Sequence, residues 1–331
     1  MLENPEKSVV RSTRWLGRAL VLAVIVGIVL GTVFLSSLDL GETTQALARV
    51  DLPTLSVVLF LSLVNYALRF WRWILFLGGR AAPVPFGRHL AIYLSGFALT
   101  ATPGKAGETM RSLYLRPFGI PASRSLAAFY AERLLDLIVI SLMAMLLVAH
   151  PSVIMRVLGL IGAAIALVLL AMQHPGITAL VGRVGAGLPG RAGRVASMVA
   201  DFLGEVRMMM TARLAAGGIL LGLVAWGAEG LGTYLVLHSM GFPIDLSLAF
   251  GIYATAMVAG VLSFLPGGLG GTEIVMTSLL IHAGVSAPVA VAATIIVRLA
   301  TLWFAVVIGL AAWVGLEAFG GLKRRNEVAS R

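Results

Sequence analysis

Cysteine is absent from the 331 residues, and charge is scarce: 12% of the chain is Asp, Glu, Lys or Arg against 59% hydrophobic residues. The first absence excludes disulfides, thiolate metal centres and thiol nucleophiles. The second excludes an ordinary water-soluble domain, in which about a quarter of residues are charged. With a mean hydropathy of +0.97, the solvent that suits this chain is lipid. Other absences narrow the chemistry. His89, His150, His174, His238 and His282 show no metal-ligand spacing, so no metal or other cofactor is expected. There is no Ser/His/Asp constellation and no phosphate-cradling loop ending in Gly-Lys-Ser/Thr. No soluble segment is large enough for a nucleotide domain, which excludes transport driven by this chain's own ATP hydrolysis. The net charge of +10 flanks apolar runs and forms no aromatic-interleaved patch, so anionic lipid headgroups are the expected partners and nucleic acid is not.

What is present is a series of apolar runs. About 20 such residues cross the ~30 Å hydrocarbon layer, and runs of that order are found at 17–37, 54–77, 125–148, 152–172, 214–239 and 289–316. The first follows a basic segment, 1–16, and is read as an uncleaved span rather than a signal peptide. Two further apolar pairs, 89–116 and 246–283, are interrupted by Pro-Gly-x-x-Gly breaks: Pro103, Gly104 and Gly107 in one, Pro266, Gly267, Gly268 and Gly270 in the other. Proline removes a backbone donor and glycine permits a sharp turn, so each motif should break a helix. Such backbone persists at membrane depth only where protein covers it or where it lines a polar cavity.

Positive charge assigns the sides. Arg80, Arg88, Lys105, Arg111, Arg116 and Arg124 cluster around the first broken pair, whereas Leu214 to Val297 holds no Lys or Arg. The positive-inside rule puts the first break on the cytoplasmic side and the second outside. Five arginines make the 174–213 connection cytoplasmic, and the basic tail 318–331 joins it there. The expected architecture is an all-α polytopic membrane protein with about six full spans, or eight, plus two re-entrant hairpins. Both termini then lie inside.

The chain also repeats itself. Ile92-Tyr93 recurs as Ile252-Tyr253, Pro103-Gly104 as Pro266-Gly267, Gly119-Ile120 as Gly284-Val285 and Arg133-Leu134 as Arg298-Leu299, at separations of 160, 163, 165 and 165 residues. An odd number of spans separates the copies, 54–148 and 214–317, so they would lie in opposite orientations. Transporters built this way place the substrate at the repeat interface.

Charges inside apolar runs are costly and tend to be paired or functional. Around the first break stand Lys105, Glu108 and Arg111, with Glu108 and Arg111 at i, i+3 spacing; headgroup capture and a solvated surface pair are both open. Glu132, Arg133 and Asp136 lie about 10–17 Å into the third span at ~1.5 Å per residue, where they either line a site or lock the repeats together. Arg69, Glu229 and Arg298 have no local partner and should meet across the bundle. A pocket of Arg69, Arg133 and Arg298 would suit a phosphodiester or pyrophosphate, since guanidinium binds such oxygens bidentately. Glu132, Asp136, Glu229 and Glu273 would position those arginines, bind a cationic group or carry a proton. Trp71 and Trp73 beside Arg72 read as an interfacial belt.

At these motifs the chain resembles the flippase-like family named after the transmembrane region of lysylphosphatidylglycerol synthase. The resemblance rests on Pro103-Gly104-Lys105-Ala106-Gly107-Glu108 with Arg111, on Glu132-Arg133-Leu134-Leu135-Asp136, and on Pro266 to Glu273 with Arg298. It implies movement of a modified phospholipid or polyprenyl-phosphate-type lipid between leaflets of the cell membrane, or support of an enzyme that makes such lipids. The large soluble aminoacyl-transferase domain of the two-part synthases has no counterpart in these residues, so a free-standing flippase unit is expected rather than an enzyme. A membrane-embedded lipid-modifying enzyme and a scaffold holding a synthase partner through 174–213 are the alternatives.

Overall fold

The computed structural model describes residues 40–100, 102, 108–147, 174–187 and 189–318. Among them all regular structure is helical, as expected. The spans read at 17–37 and 152–172, and the first break with Pro103, Gly104, Lys105 and Gly107, lie outside the described residues.

A short helix α1, Leu40–Leu47, precedes α2, Leu52–Leu77. The start of α2 is set by Asp51, whose side chain accepts from the Thr54 amide at 2.8 Å and whose carboxyl is held below its ordinary range by hydrogen bonds from Thr54. Pro53 in the first turn supports this start. Helix α3, Phe86–Ser95, runs into a 3₁₀ turn, Gly96–Leu99. The chain resumes as α4, Arg111–Leu115, and then as α5, Ala122–Ala144, extended by a 3₁₀ turn, Met145–Leu147. Helices α6, Pro175–Ala186, and α7, Gly190–Met209, pack on one another, and α7 packs on α5. The 174–213 connection is thus a helical hairpin. Glu205 fastens it, accepting from Arg80 at 2.7 Å and Arg124 at 2.6 Å.

The remainder comprises α8, Ala212–Ser239; α9, Leu246–Leu262; α10, Gly271–His282; α11, Ala287–Arg298; a π turn, Leu299–Trp303; and α12, Phe304–Ala318. Among the described residues, three stretches are long and apolar enough to cross a membrane: Leu52–Ala81, Ala212–Ser239 and Ala287–Ala318. Helix α5 carries Arg124, Glu132, Arg133 and Asp136 and is less uniformly apolar.

Helices α2 and α8 pack along each other at the centre, where Asn65 donates to the Ala225 carbonyl at 2.9 Å. Lipid supplies no hydrophobic drive between helices, so close backbone approach and buried hydrogen bonds must do this work. Gly218 and Gly222, one turn apart on α8, let it settle over Arg72: a methyl on Gly222 would lie 3.0 Å from both Arg72 Nη1 and Val139 Cγ2. Two apolar clusters flank the centre, and Asp136 stands on α5 between Leu135 of one and Val139 of the other.

The second break is visible. Helix α9 ends at Leu262; Phe264, Gly267, Gly268 and Gly270 all take positive φ; α10 begins at Gly271. Glu273 closes the turn by accepting from the Gly270 amide at 2.6 Å. Helices α9 and α10 pack together, so the segment folds back on itself.

Candidate functional site

A cavity of about 290 Å³ lies among α2, α5, α8, α9 and α11. Its wall includes Arg69, Arg133, Arg298, Asp136 and Glu229, together with Tyr66, Phe97, Tyr130, Trp226 and Tyr253 and the break residues Phe264, Gly267 and Gly268. Arg69, Glu229 and Arg298, expected to meet across the bundle, and Arg133, expected to share a pocket with the other two arginines, line one space. Glu108, Arg111, Glu132 and Glu273 stand behind the wall: Glu108 reaches Thr100 and Arg133 on it, Glu273 reaches Arg298, and Arg111 pairs with Glu132.

Asp136 is the hub. Its Oδ1 accepts from Arg72 Nη2 at 2.5 Å and Trp226 Nε1 at 3.0 Å, while Oδ2 faces Arg133 at 3.2 Å and Arg69 at 3.9 Å. Glu132 is fully buried with Arg111 at 3.6 Å, Arg72 at 3.8 Å and the Tyr93 hydroxyl at 3.4 Å. Glu108 pairs with Arg111 at 3.0 Å, accepts from Thr100 at 3.0 Å and lies 3.9 Å from Arg133. The i, i+3 pair of Glu108 and Arg111 is buried, which decides against a solvated surface pair. Arg111 lies 4.0 Å over the Tyr93 ring and donates to the Tyr93 carbonyl at 3.0 Å. Gly96 makes room for it, since a Cβ there would sit 2.5 Å from Arg111 Nε.

On the other side of the cavity, Arg298 donates to Glu273 at 2.5 Å and to the Gly267 carbonyl at 2.8 Å, tying α11 to the second break. Glu229 accepts from the Tyr253 hydroxyl. Removing one partner from such buried networks strands a charge in a poorly polarisable surrounding, which costs several kcal/mol. The cluster holds five arginines, Arg69, Arg72, Arg111, Arg133 and Arg298, against five carboxylates, Glu108, Glu132, Asp136, Glu229 and Glu273, so it is formally neutral as built.

Its hydrogen-bonding capacity is unevenly used. Arg69, Arg72, Arg111 and Arg133 each have buried guanidinium nitrogens that make no hydrogen bond, and of these four side chains those of Arg69 and Arg133 line the cavity. Arg298 has two donors already engaged. An anion entering this space would therefore be met by Arg69 and Arg133. Among the described residues no cluster of His, Asp or Glu could hold a metal ion.

Arg72 and Trp73 correct the reading of an aromatic belt. Trp71 is half exposed and fits that reading, but Arg72 is 0% exposed and Trp73 donates to His89 Nε2 at 3.1 Å within the core. Successive helical residues point about 100° apart, so neighbours in sequence do not share a face. Asn65, Tyr66, Arg69, Arg72, Trp73 and Phe76 form one buried stripe at helical spacing, and that periodicity is the signal that would have found Arg72. Tyr66, Trp226 and Tyr253 were also missed as wall residues. Tyr66 and Trp226 stand 160 residues apart, as do Tyr93 and Tyr253, the separation of the sequence matches.

The family model of the lysylphosphatidylglycerol synthase transmembrane region matches residues 20–309. The chain belongs to this family. Every residue of the cavity wall, from Tyr66 to Ala305, falls inside the stretch that defines the lysylphosphatidylglycerol synthase transmembrane family. Among curated relatives, a UPF0104 membrane protein of Pyrococcus horikoshii is 25% identical, over 87% of this chain and 94% of its own length. Two UPF0104 membrane proteins of Methanothermobacter thermautotrophicus are 27% and 26% identical, over 86% and 80% of this chain and 93% and 84% of theirs. Membership in this family, together with the apolar helices, makes the chain a membrane protein.

Proposed function

We propose that the protein is a lipid flippase, carrying a modified phospholipid or polyprenyl-phosphate lipid between leaflets of the cell membrane by alternating access. The observation that carries this reading is the cavity in which Arg69 and Arg133 present unspent guanidinium donors beside the glycine-rich break. Guanidinium keeps its charge at any working pH and matches phosphate oxygens in pairs.

Three observations support an inverted repeat behind this activity. Arg298 pairs with Glu273 and Arg133 faces Glu108, and the second pair lies 165 residues before the first. Gly119 and Gly284, at the same separation, both take positive φ where the chain turns into α5 and α11. Packing is exchanged between the halves, with α9 against α5 and α3 against α12. In this reading α3 to α4 and α9 to α10 are re-entrant hairpins opening on opposite sides. The two Arg–Glu pairs differ: 2.5 Å at the second break and 3.9 Å at the first. Alternating access would exchange them, one break tightening as the other loosens.

The test is transfer in proteoliposomes containing only this protein and a labelled lipid from a panel of aminoacylated phosphatidylglycerol, phosphatidylglycerol and polyprenyl phosphate. The wild-type chain should move at least one of them chemically unchanged, as read by mass spectrometry, and Arg69→Ala and Arg133→Ala should slow it. Rates equal to protein-free vesicles across the panel would overturn the reading, and a covalently altered lipid would point to an enzyme.

A further inference from the structure

The cavity wall is part interior and part outer surface, and that division locates its mouth. Arg69, Asp136, Glu229 and Tyr253 are buried, whereas Tyr130 is 50% exposed, Val261 50% and Phe264 79% while lining the same space. The exposed wall residues belong to α5 on one side and to the end of α9 with its following turn on the other. These helices close on each other at their far ends: a Cβ on Gly251 would lie 2.8 Å from Leu147 Cα. The start of α9 thus meets the end of α5, and the two run antiparallel. Counting back along both from that contact sets Leu137 opposite Val261 and Leu134 opposite Phe264, and all four line the cavity. At ~1.5 Å per residue the open stretch begins about 15 Å from the contact. The seam is a V, pinned at Gly251 and open at Tyr130 and Phe264.

Taking lipid translocation as its premise, we propose that this seam is a lateral slot: the lipid's hydrocarbon chain lies between α5 and α9 while Arg69 and Arg133 hold its phosphate. The slot and the charged interior belong to one cavity, and the two halves make opposite demands. The Arg69 side chain is more than nine-tenths buried and, 3.9 Å from Asp136, makes no hydrogen bond through Nε or Nη2, which leaves donors for an anion. The mouth is walled by exposed apolar side chains, which call for hydrocarbon. A free phosphate answers only the first demand and an alkane only the second; an amphiphile with an anionic head answers both.

Two details fit this assignment. Phe264 holds φ at +52°, a conformation that a bulky residue adopts at a cost, and its ring stands at the mouth. Tyr130, on the α5 side of the mouth, is propped edge-on by Phe202 of α7 at 5.4 Å between ring centres. Helix α12 also comes close to the turn that follows α3. A Cβ on Gly309 would collide with the Ala98 backbone.

Because the protein contains no cysteine, the slot can be closed chemically in the full-length chain. A Tyr130→Cys, Phe264→Cys variant is bridged with a short reducible bis-thiosulfonate reagent and reconstituted with a labelled long-chain phosphatidylglycerol or polyprenyl phosphate. Transfer should fall to the rate of protein-free vesicles and return on reduction, while each single-cysteine variant carrying a monofunctional label retains transfer. A phosphatidylglycerol bearing a diazirine in its acyl chain should label peptides containing Leu134, Leu137 and Val261. Undiminished transfer through the bridged protein overturns the slot and leaves translocation standing. Chain labelling in the slot by a protein that moves no lipid of the panel supports the slot and overturns translocation. Absence of slot labelling, with inorganic phosphate stabilising bridged and unbridged protein alike, identifies a free-anion site and overturns the slot.

Discussion

A guanidinium held away from water is stable only if its surroundings are arranged for it, and the five arginines of the cluster are arranged differently. Arg72 is enclosed, clasped by Asp136 at 2.5 Å and covered by Gly218 and Gly222. Its replacement takes from Asp136 its shortest contact and from Glu132 one of two neighbouring guanidiniums, leaving the buried cluster one positive charge short, so Arg72→Gln should cost about 3–5 kcal/mol of stability. Chemical unfolding in micelles measures this, with the half-exposed Arg80→Gln as comparator, expected to cost no more than about 1 kcal/mol. Arg133 is the contrasting case, since its side chain is 19% exposed and lines the cavity, whereas that of Arg72 is 0% exposed and does not. Arg133→Ala should lose transfer while keeping most of its unfolding midpoint. Arg298→Lys keeps a charge but gives up the fork that reaches Glu273 and Gly267 together. It should slow transfer and speed hydrogen exchange of the Gly267 to Glu273 turn, and equal exchange in the two proteins would contradict the tie. Arg69, Arg133 and Arg298 could be picked out from the residue string because a charge inside an apolar run is costly. Arg72 could not, because flanking tryptophans gave it a plausible place at an interface.

At the scale of helices, glycine placement decides how closely α8 approaches its neighbours. A Cβ on Gly222 would lie 3.0 Å from Arg72 and Val139, whereas one on Gly217, on the same helix, would have nothing within 4 Å. Gly222→Leu should therefore destabilise by about 1–3 kcal/mol through overpacking. Gly217→Leu should be close to neutral or slightly stabilising, since glycine is a poor helix former. The pair is compared by thermal unfolding in one detergent, and equal shifts would remove the argument. The second break is a matter of backbone chemistry and was readable beforehand. Pro266 and three glycines mark it, and the structure shows Gly267, Gly268 and Gly270 at positive φ. What the pattern did not reveal is that Phe264, a non-glycine, shares that conformation, because nothing in its local sequence demands it. It is held there by the folding of α9 onto α10.

For the whole molecule, the question is what couples the parts. The α6–α7 hairpin is attached to α2 and α5 through Glu205, which takes Arg80 and Arg124 at once. Glu205→Gln should loosen this attachment and raise hydrogen exchange in α6 and α7 while leaving α2 and α8 protected; uniform protection would show that apolar contact alone holds the hairpin. Composition and run length suffice to establish a helical protein of the membrane, because burying 59% hydrophobic residues with so few charges needs lipid around it. The charged candidates are legible for the same reason, and the motifs around the two breaks suffice for the family. Which candidates touch is a property of the fold. Arg72 and Asp136 are 64 residues apart, and Trp226 reaches the same carboxylate from 90 residues away. No local rule ranks such pairs, because they depend on how deeply α8 sinks onto α2 and α5. The division of labour among arginines is decided there too, for a guanidinium becomes a free donor or a structural one according to the partners that packing sets within about 3 Å of it.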